Sequence, residues 1–352
     1  MVDKLRVGVL GATGLVGQVF VSFLADHPWF ELVYLGASPR SAGKKYKEVM
    51  KGSPPLPIPE HVLDMEVRRV EEVPKDVEIL FSALPSDLAL SYELEFVKMG
   101  YTVISNASPL RLEKDIPLIN PEVNLDHLEL IKLQKKERRW KGVIVKNPNC
   151  TTAILTLTLK PILDEFGIKR VFVTTMQGIS GAGYPGVAAL DIVDNIIPYI
   201  RNEEYKVENE TLKILGRLAD DGIHVANIKV SATCTRVPVL HGHLESIHVE
   251  TIKEVDVEEV IRVFEEFKGP PQELNLPSAP KKPIVVRKEI NRPQPRLDRL
   301  TERGMSVVVG RVREDHALSR GVKYIALGHN LIRGAAGIAV LIAEALLKLE
   351  YI

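Results

Sequence analysis

The chain has 352 residues, 46 Lys and Arg balanced by 46 Asp and Glu, and two cysteines. At roughly 150 residues per domain this length makes about two domains, and an apolar fraction of 45% suffices for their cores. The balance excludes the basic excess of a nucleic-acid binder and the net charge of an acidic disordered chain, while two cysteines exclude a disulfide framework and a four-cysteine zinc site and fit a reducing, intracellular setting.

The N-terminal segment MVDKLRVGVLGATGLVG carries no export-signal cleavage pattern. Leu5–Leu10 is a short apolar run and reads as a strand. GATGLVG follows, then the apolar-periodic VFVSFLADHP, closed by Pro28, and a second strand is expected at 30–35. This is a βαβ rhythm, which implies a parallel sheet with helices on its faces. KGSPPLPIPE reads as a surface excursion. The rhythm resumes with VEILFSALP, a helix near 88–98 and the strand TVISNAS; a charged helix at about 126–139 precedes the strand GVIVKNPNC. Beyond TTAILTLTLKPILDEFG the pattern changes. Long strands dominate in KRVFVTTMQGIS, IKVSATCTRVPV, HLESIHVETI and MSVVVGRVRE. They imply a mixed α+β second domain. The proline-rich stretch 275–299 reads as an extended crossing, and 330–350 as an amphipathic helix. GAAGIAVLIAEALLKL holds Glu344 and is too short to span a bilayer, so a cytoplasmic location is expected.

Gly11, Gly14 and Gly17 end a strand and open a helix. Gly11 permits the tight turn, Gly14 lets the backbone approach a pyrophosphate, and Gly17 lets helix and strand pack closely. The free N–H groups at the helix start face the anion. An NAD site places a carboxylate about 20 residues further on. LGASPRSAGKK has none there; it offers Ser38, Arg40 and Ser41, with Lys44 and Lys45 nearby. Hydroxyls and a guanidinium suit a ribose 2′-phosphate, which favours NADP(H).

Cys150 stands in NPNCTT, where a strand meets a helix expected despite Pro161 and several threonines. At a helix N-terminus a thiol is expected to lose its proton more readily, and the same N–H groups could hold an oxyanion. A thiolate needs a proton partner. Among nine histidines, RVPVLHGHLES draws attention because it combines Arg236, His241 and His243. His-x-His has no matching ligand set nearby, so no metal is expected. QGISGAGYPG is a glycine-rich loop after a strand, open to a nicotinamide or a plain turn. Glu210 and Lys213 are three apart on an expected helix and share a face, and a solvated ion pair is the plain account of them.

With these motifs in order, the chain resembles the aspartate-β-semialdehyde dehydrogenase family, in its archaeal and fungal branch. GATGLVG, ASPRS, NASPLR, NPNC, QGISGAGYPG, ENETLKIL, RVPVLHGH and HNLIRGAAG carry the resemblance from Leu5 to the final helix. It implies a Rossmann-type dinucleotide domain (1–149 plus 330–352) and a catalytic and dimerisation domain (150–329) like that of glyceraldehyde-3-phosphate dehydrogenase. It also implies NADPH-dependent reduction of L-aspartyl 4-phosphate to the semialdehyde, and a homodimer or homotetramer. By position, Cys150 matches the acyl-thioester nucleophile, His243 the general acid/base and Gln177 a residue orienting the acyl group. Arg236 matches the arginine for the substrate carboxylate, Arg111 one for phosphate with Lys213 and Asn149 assisting, and Glu210 the partner of the amino group. Gly11, Thr13, Gly14, Leu15, Val16, Gly17, Ser38, Arg40, Ser41, Ser82, Leu84, Ser180, Gly181 and Asn330 match cofactor contacts.

Malonyl- and succinyl-CoA reductases on the same scaffold are the nearest alternative; they tend to lack the asparagine that is Asn149 here. N-acetyl-γ-glutamyl-phosphate reductases usually carry glycine at that place. A non-catalytic NADP sensor would not need the full set of nucleophile, base and anion-binding residues.

Overall fold

The structure is a computed structural model and describes residues 4–52, 54 and 56–352. Residues 1–3 of the N-terminal segment, and Ser53 and Pro55 of the proline-rich excursion, lie outside the described residues. In the first half, β1 (Leu5–Leu10), β2 (Phe30–Ala37), β3 (Arg68–Arg69), β4 (Ile79–Ser82), β5 (Thr102–Ser105) and β6 (Val143–Lys146) form one sheet in the order 3-2-1-4-5-6, and every pair is parallel. β4, β5 and β6 are buried at every residue. Strands covered on both faces need no alternation, which is why VEILF and GVIVK read as continuous apolar runs. The crossover helices α1 (Leu15–Leu24), α2 (Ser86–Met99) and α3 (Leu130–Arg138) supply that cover.

The 17-residue helix α4 (Cys150–Phe166) then leads into the second sheet. It runs through Pro161, and its threonines do not stop it, because its apolar side chains from Ile154 onward pack into the second core. Burial outweighs the propensities that argued against the helix. β7 (Ile168–Gln177), α5 (Glu203–Ile214), the hairpin β8 (Arg217–Ala219) and β9 (Gly222–His224), β10 (Lys229–Arg236), β11 (His243–Thr251), α6 (Val257–Glu266), β12 (Ile284–Arg287), β13 (Val307–Glu314) and β14 (Gly321–Gly328) follow. The large sheet is mixed, in the order 10-7-11-14-13-12. In β7, Val171, Val173 and Thr175 are buried while Phe172 and Thr174 are exposed, so one face packs on helices and the other lies open.

Two readings of the sequence change. The crossing 275–299 contains the strand β12, which pairs in parallel with β13, and β14 adds a strand the sequence left unmarked. The C-terminal segment is not amphipathic. A π-helical turn (Ile332–Ala336) leads into α7 (Gly337–Lys348), and residues 338–343 have no exposed surface. α7 lies in the first core with α1. An all-round apolar helix is stable only where both sides are covered. Its one buried charge, Glu344, receives the Ser278 N–H at 3.0 Å and lies 2.8 Å from His27 Nε2.

Candidate active site

The strand order of the first sheet reverses between β1 and β4, and the crevice outside this switch point is where such sheets bind dinucleotides. Gly11 has φ +77°, and a Cβ there would stand 2.7 Å from Ala83 O; one on Gly17 would stand 2.2 Å from Gly11 O. A Cβ on Gly14 meets only Gly11 O, at 3.5 Å, so this helix N-terminus faces open space. The cavity above it measures about 560 Å³ and is lined by Gly11, Thr13, Gly14, Leu15, Val16 and Ser38, with Leu84 on the far wall. Arg40 is exposed on the loop beside Ser38. This cradle fits a pyrophosphate and its ribose.

Four expected contacts do not line the cavity: Gly17, packed under the turn, Arg40, exposed beside it, and the buried Ser41 and Ser82. Ser82 is fully buried, and its hydroxyl donates to Glu93 Oε1 at 2.7 Å. Lys146 reaches the same carboxylate at 2.6 Å, so Ser82, Ser105 and Lys146, one register row, tie the sheet to α2 beneath the crevice. Ser41 is buried in its turn, its N–H bonded to Ser38 O.

Val16, Leu84 and Gly183 line both the dinucleotide cavity and a second one of about 530 Å³ that holds Cys150. Cys150 is the first residue of α4, and its Sγ lies 3.2 Å from His243 Nε2. The register of the second sheet puts Arg236, Gln177 and His243 in one row across β10, β7 and β11. His243 Nδ1 accepts the Gly178 N–H at 3.1 Å, so in this state the ring proton sits on Nε2 and faces the sulfur. Gly178 N–H is shared with Gly242 O at 3.2 Å, which leaves it a partner if Nδ1 takes up a proton. Arg236 Nη1 donates to Gly178 O at 2.8 Å. Gln177 is buried in the row, and its amide donates to Thr175 Oγ1 at 3.2 Å.

The electrostatics differ from the sequence expectation. Burial, with Glu203 adding to it, pushes the Cys150 thiol up to about 12. Burial and then Arg236 bring His243 down to about 4. The resting pair is therefore neutral thiol and neutral imidazole. The helix-end donors are also spoken for: Asn149 caps α4, its Oδ1 accepting the N–H groups of Thr151 (2.9 Å) and Thr152 (3.2 Å). The first-turn donor left for an oxyanion is the N–H of Cys150 itself.

Glu210 and Lys213 need correction. Both are buried on α5, but neither lines the cavity. Glu210 brackets Arg111 (2.9 Å to Nη1) and the Asn149 N–H (2.6 Å). The Lys213 ammonium donates to the carbonyls of Arg111, Glu113 and Ile116 at 2.6–2.8 Å, and burial lowers it to about 8. Its hydrogens are used by backbone, so no phosphate contact remains for it. Seven residues earlier, two turns along the same helix face, Glu203 and Lys206 repeat the three-residue spacing and do line the cavity. Glu203 receives Asn149 Nδ2 at 2.8 Å and Lys206 at 3.0 Å. Sequence reasoning missed this pair, although EEYK shows the same spacing as ENETLK. Asn149 is thereby spent on the cap and on Glu203, and Arg111 lines the cavity with its buried Nε unpartnered among the described residues.

Ser180, Gly181 and Asn330 line the cavity beside Cys150. A Cβ on Gly181 would stand 2.7 Å from Arg236 Nη1 and 3.1 Å from His243 Cε1. Gly334, in the π-helical turn, packs against the Cys150 Cβ, where an added Cβ would stand 2.6 Å away. Cys234 is a buried β10 residue two before Arg236. Among the described residues no His, Cys, Asp or Glu cluster could hold a metal, and no helix is long and apolar enough to cross a membrane.

A dinucleotide crevice that runs on to a Cys–His pair with arginines and a carboxylate around it defines an oxidoreductase with a built-in nucleophile. The models "Semialdehyde dehydrogenase, NAD binding domain" and "Semialdehyde dehydrogenase, dimerisation domain" match residues 6–131 and 159–333. The chain belongs to the aspartate-semialdehyde dehydrogenase family. It is 53% identical to the aspartate-semialdehyde dehydrogenase of Methanothermobacter thermautotrophicus, over 96% of this chain and 98% of the relative. The crystal structure of the Candida albicans enzyme with NADP superposes with a TM-score of 0.89 at 41% identity, covering 99% of this chain and all of that one. A malonyl CoA reductase (NADP) of Metallosphaera sedula is 42% identical over 99% of this chain and 98% of its own length.

Proposed function

We propose that this chain reduces L-aspartyl 4-phosphate to L-aspartate 4-semialdehyde with NADPH, releasing phosphate, through a thioester on Cys150. The observation that carries this reading is the Cys150–His243 contact of 3.2 Å in a cavity continuous with the dinucleotide crevice. The substrate carries a carboxylate, an ammonium and a phosphate. Arg236, Glu203 and Arg111, with Lys206 beside them, line that cavity and match this set of charges.

In the forward direction Sγ attacks the acyl carbon; the C–S bond forms, the C–O bond to phosphate breaks, and the thiol proton leaves with the departing phosphate as hydrogen phosphate. Cys150 N–H is placed to hold the tetrahedral oxyanion. NADPH, when bound, supplies the hydride that reduces the acyl carbon. His243 Nε2–H, on the sulfur side, donates a hydrogen bond to the thiohemiacetal oxyanion; as the C–S bond breaks the aldehyde leaves, and the released Cys150 thiolate takes a proton from solvent. Burial, and after it Arg236, keeps His243 from carrying a resident charge. Ser38 and Arg40 would hold the 2′-phosphate, and the first turn of α1 the pyrophosphate.

We further assign 1–149 plus 330–352 to the cofactor domain, because α7 joins the first core, and 150–329 to catalysis and subunit contact. The open face of the second sheet, which includes the exposed Phe172, is the surface we assign to a homodimer or homotetramer in the cytoplasm. The direct test is a screen for NADP⁺ reduction. Turnover is expected only when semialdehyde and inorganic phosphate are both present. Turnover with CoA and malonate semialdehyde in their place would make the chain an acyl-CoA reductase instead.

A further inference from the structure

The turn after β7 lines the cavity that holds Cys150, and its backbone leaves it little freedom. Ile179 N–H bonds to Val239 O at 2.7 Å and Ser180 N–H to Leu240 O at 3.0 Å, which lays the turn along the residues leading to His241. What remains adjustable at Ser180 is the direction of its hydroxyl, which reaches the cavity. Two side chains meet that hydroxyl. Asn330 Oδ1 accepts the Gly242 N–H at 2.8 Å, so its amide nitrogen faces the other way and donates to Ser180 Oγ at 2.9 Å. His241 Nδ1 lies 2.9 Å from the same oxygen.

A hydroxyl has one proton and two lone pairs. Asn330 fills one lone pair. If His241 carries its proton on Nδ1, it fills the second, and the Ser180 proton must point into the cavity. If Nδ1 carries the lone pair, the Ser180 proton is consumed by the ring and the cavity sees an acceptor. The surroundings of His241 bear on this choice. Its ring stacks on His329 at 5.4 Å between centroids. His329 Nδ1 accepts the N–H groups of Leu331 and Ile332, so its own proton sits on Nε2. Arg299 donates to the His241 carbonyl at 3.3 Å. The Arg299 charge disfavours a second proton on this ring, and we take the one it keeps to sit on Nδ1, facing Ser180 Oγ. Burial and Arg299 also hold His241 below its ordinary value, so the ring stays neutral.

We propose that His241 is a positioning residue that orients the Ser180 hydroxyl as a hydrogen-bond donor to the nicotinamide end of the bound cofactor. It acts through Ser180 and shares the task with Asn330. The inference rests on the reading of the cavity as an NADP(H) site, and it gives the first histidine of HGH a task distinct from that of His243.

The test is a double-mutant cycle on NADP⁺ affinity, measured calorimetrically without substrate. His241→Leu and Ser180→Ala should each weaken NADP⁺ about tenfold, and the double variant should be no weaker than either single one. His241→Asn, which keeps a donor on a shorter arm, should recover part of the loss. His241→Leu should also raise the primary isotope effect with NADPH deuterated at the transferred position, as hydride transfer becomes more rate-limiting. Its Cys150 alkylation rate without cofactor should stay within about twofold of the parent, because the Cys150–His243 pair is intact. Unchanged NADP⁺ affinity in His241→Leu, or losses that add in the double variant, would overturn the proposal. Failure of the parent enzyme itself to bind NADP⁺ would instead strike the cofactor assignment, so the two failures are distinct.

Discussion

Gly181→Ala puts the geometry of the Cys150–His243 pair under direct strain. The new Cβ would stand 2.7 Å from Arg236 Nη1 and 3.1–3.2 Å from the His243 ring, where ordinary contact begins at 3.4 Å. Neither neighbour yields freely. Arg236 is buried and bonded to Gly178 O, and His243 is fully buried and bonded to Gly178 N–H. Restoring contact asks for a shift of about 0.7 Å at Arg236 Nη1 and a few tenths at His243, which moves Nε2 relative to Sγ. A misplacement of about 1 Å at reacting groups costs on the order of 10²-fold. We therefore expect kcat to fall by about 10–100-fold, smaller than for loss of Cys150. Stability should change little, because the clash sits on a surface turn rather than in either core. The assay is phosphate-dependent NADP⁺ reduction at saturating semialdehyde, alongside a thermal melt. A Gly181→Ala enzyme with the parent kcat would refute the idea that this glycine is required by close approach to the pair.

Three further outcomes follow from the site. Glu203→Gln and Lys206→Met should raise the KM for semialdehyde by about tenfold or more, since each removes a charge-assisted contact; Lys213→Met should mainly lower the melting temperature, and the reverse pattern would restore Lys213 to the substrate site. With the thiol held at about 12, iodoacetamide labelling of Cys150 should rise about tenfold per pH unit from neutrality through pH 10, because only thiolate reacts; a plateau near pH 7 would show a thiolate already formed. Arg40→Ala should weaken NADPH by about tenfold and leave NADH unchanged, and equal losses with both would remove the 2′-phosphate contact.

The parallel sheet was legible because its strands are covered on both faces and its first turn must be glycine. Cys150, Arg236 and His243 were legible because each belongs to a short motif fixed by the chain just beside it. The rest depended on how elements meet. Glu203 and Lys206 share a helix face and a spacing with Glu210 and Lys213, and only the packing of α5 shows which pair reaches the cavity. Ser82 sits at a strand end that suggests a cofactor contact, yet the buried Glu93 draws its hydroxyl inward. The state of the Cys150 thiol was misjudged for a similar reason. A helix N-terminus lowers a thiol when its N–H groups are free, but here Asn149 occupies two of them and burial dominates. The last helix read as amphipathic because the sequence does not reveal that both its sides are covered.

The covalent step is the centre of the account, and trapping it is the most direct test. Mixed with semialdehyde and NADP⁺ without phosphate, the enzyme should release about one NADPH per site and then stall as the acyl-enzyme. Acid quenching and mass spectrometry should then find a single aspartyl group on the peptide carrying Cys150, lost on adding phosphate and absent in Cys150→Ser. Full turnover in Cys150→Ser, or a burst of NADPH with no acyl group on Cys150, would contradict the thioester mechanism.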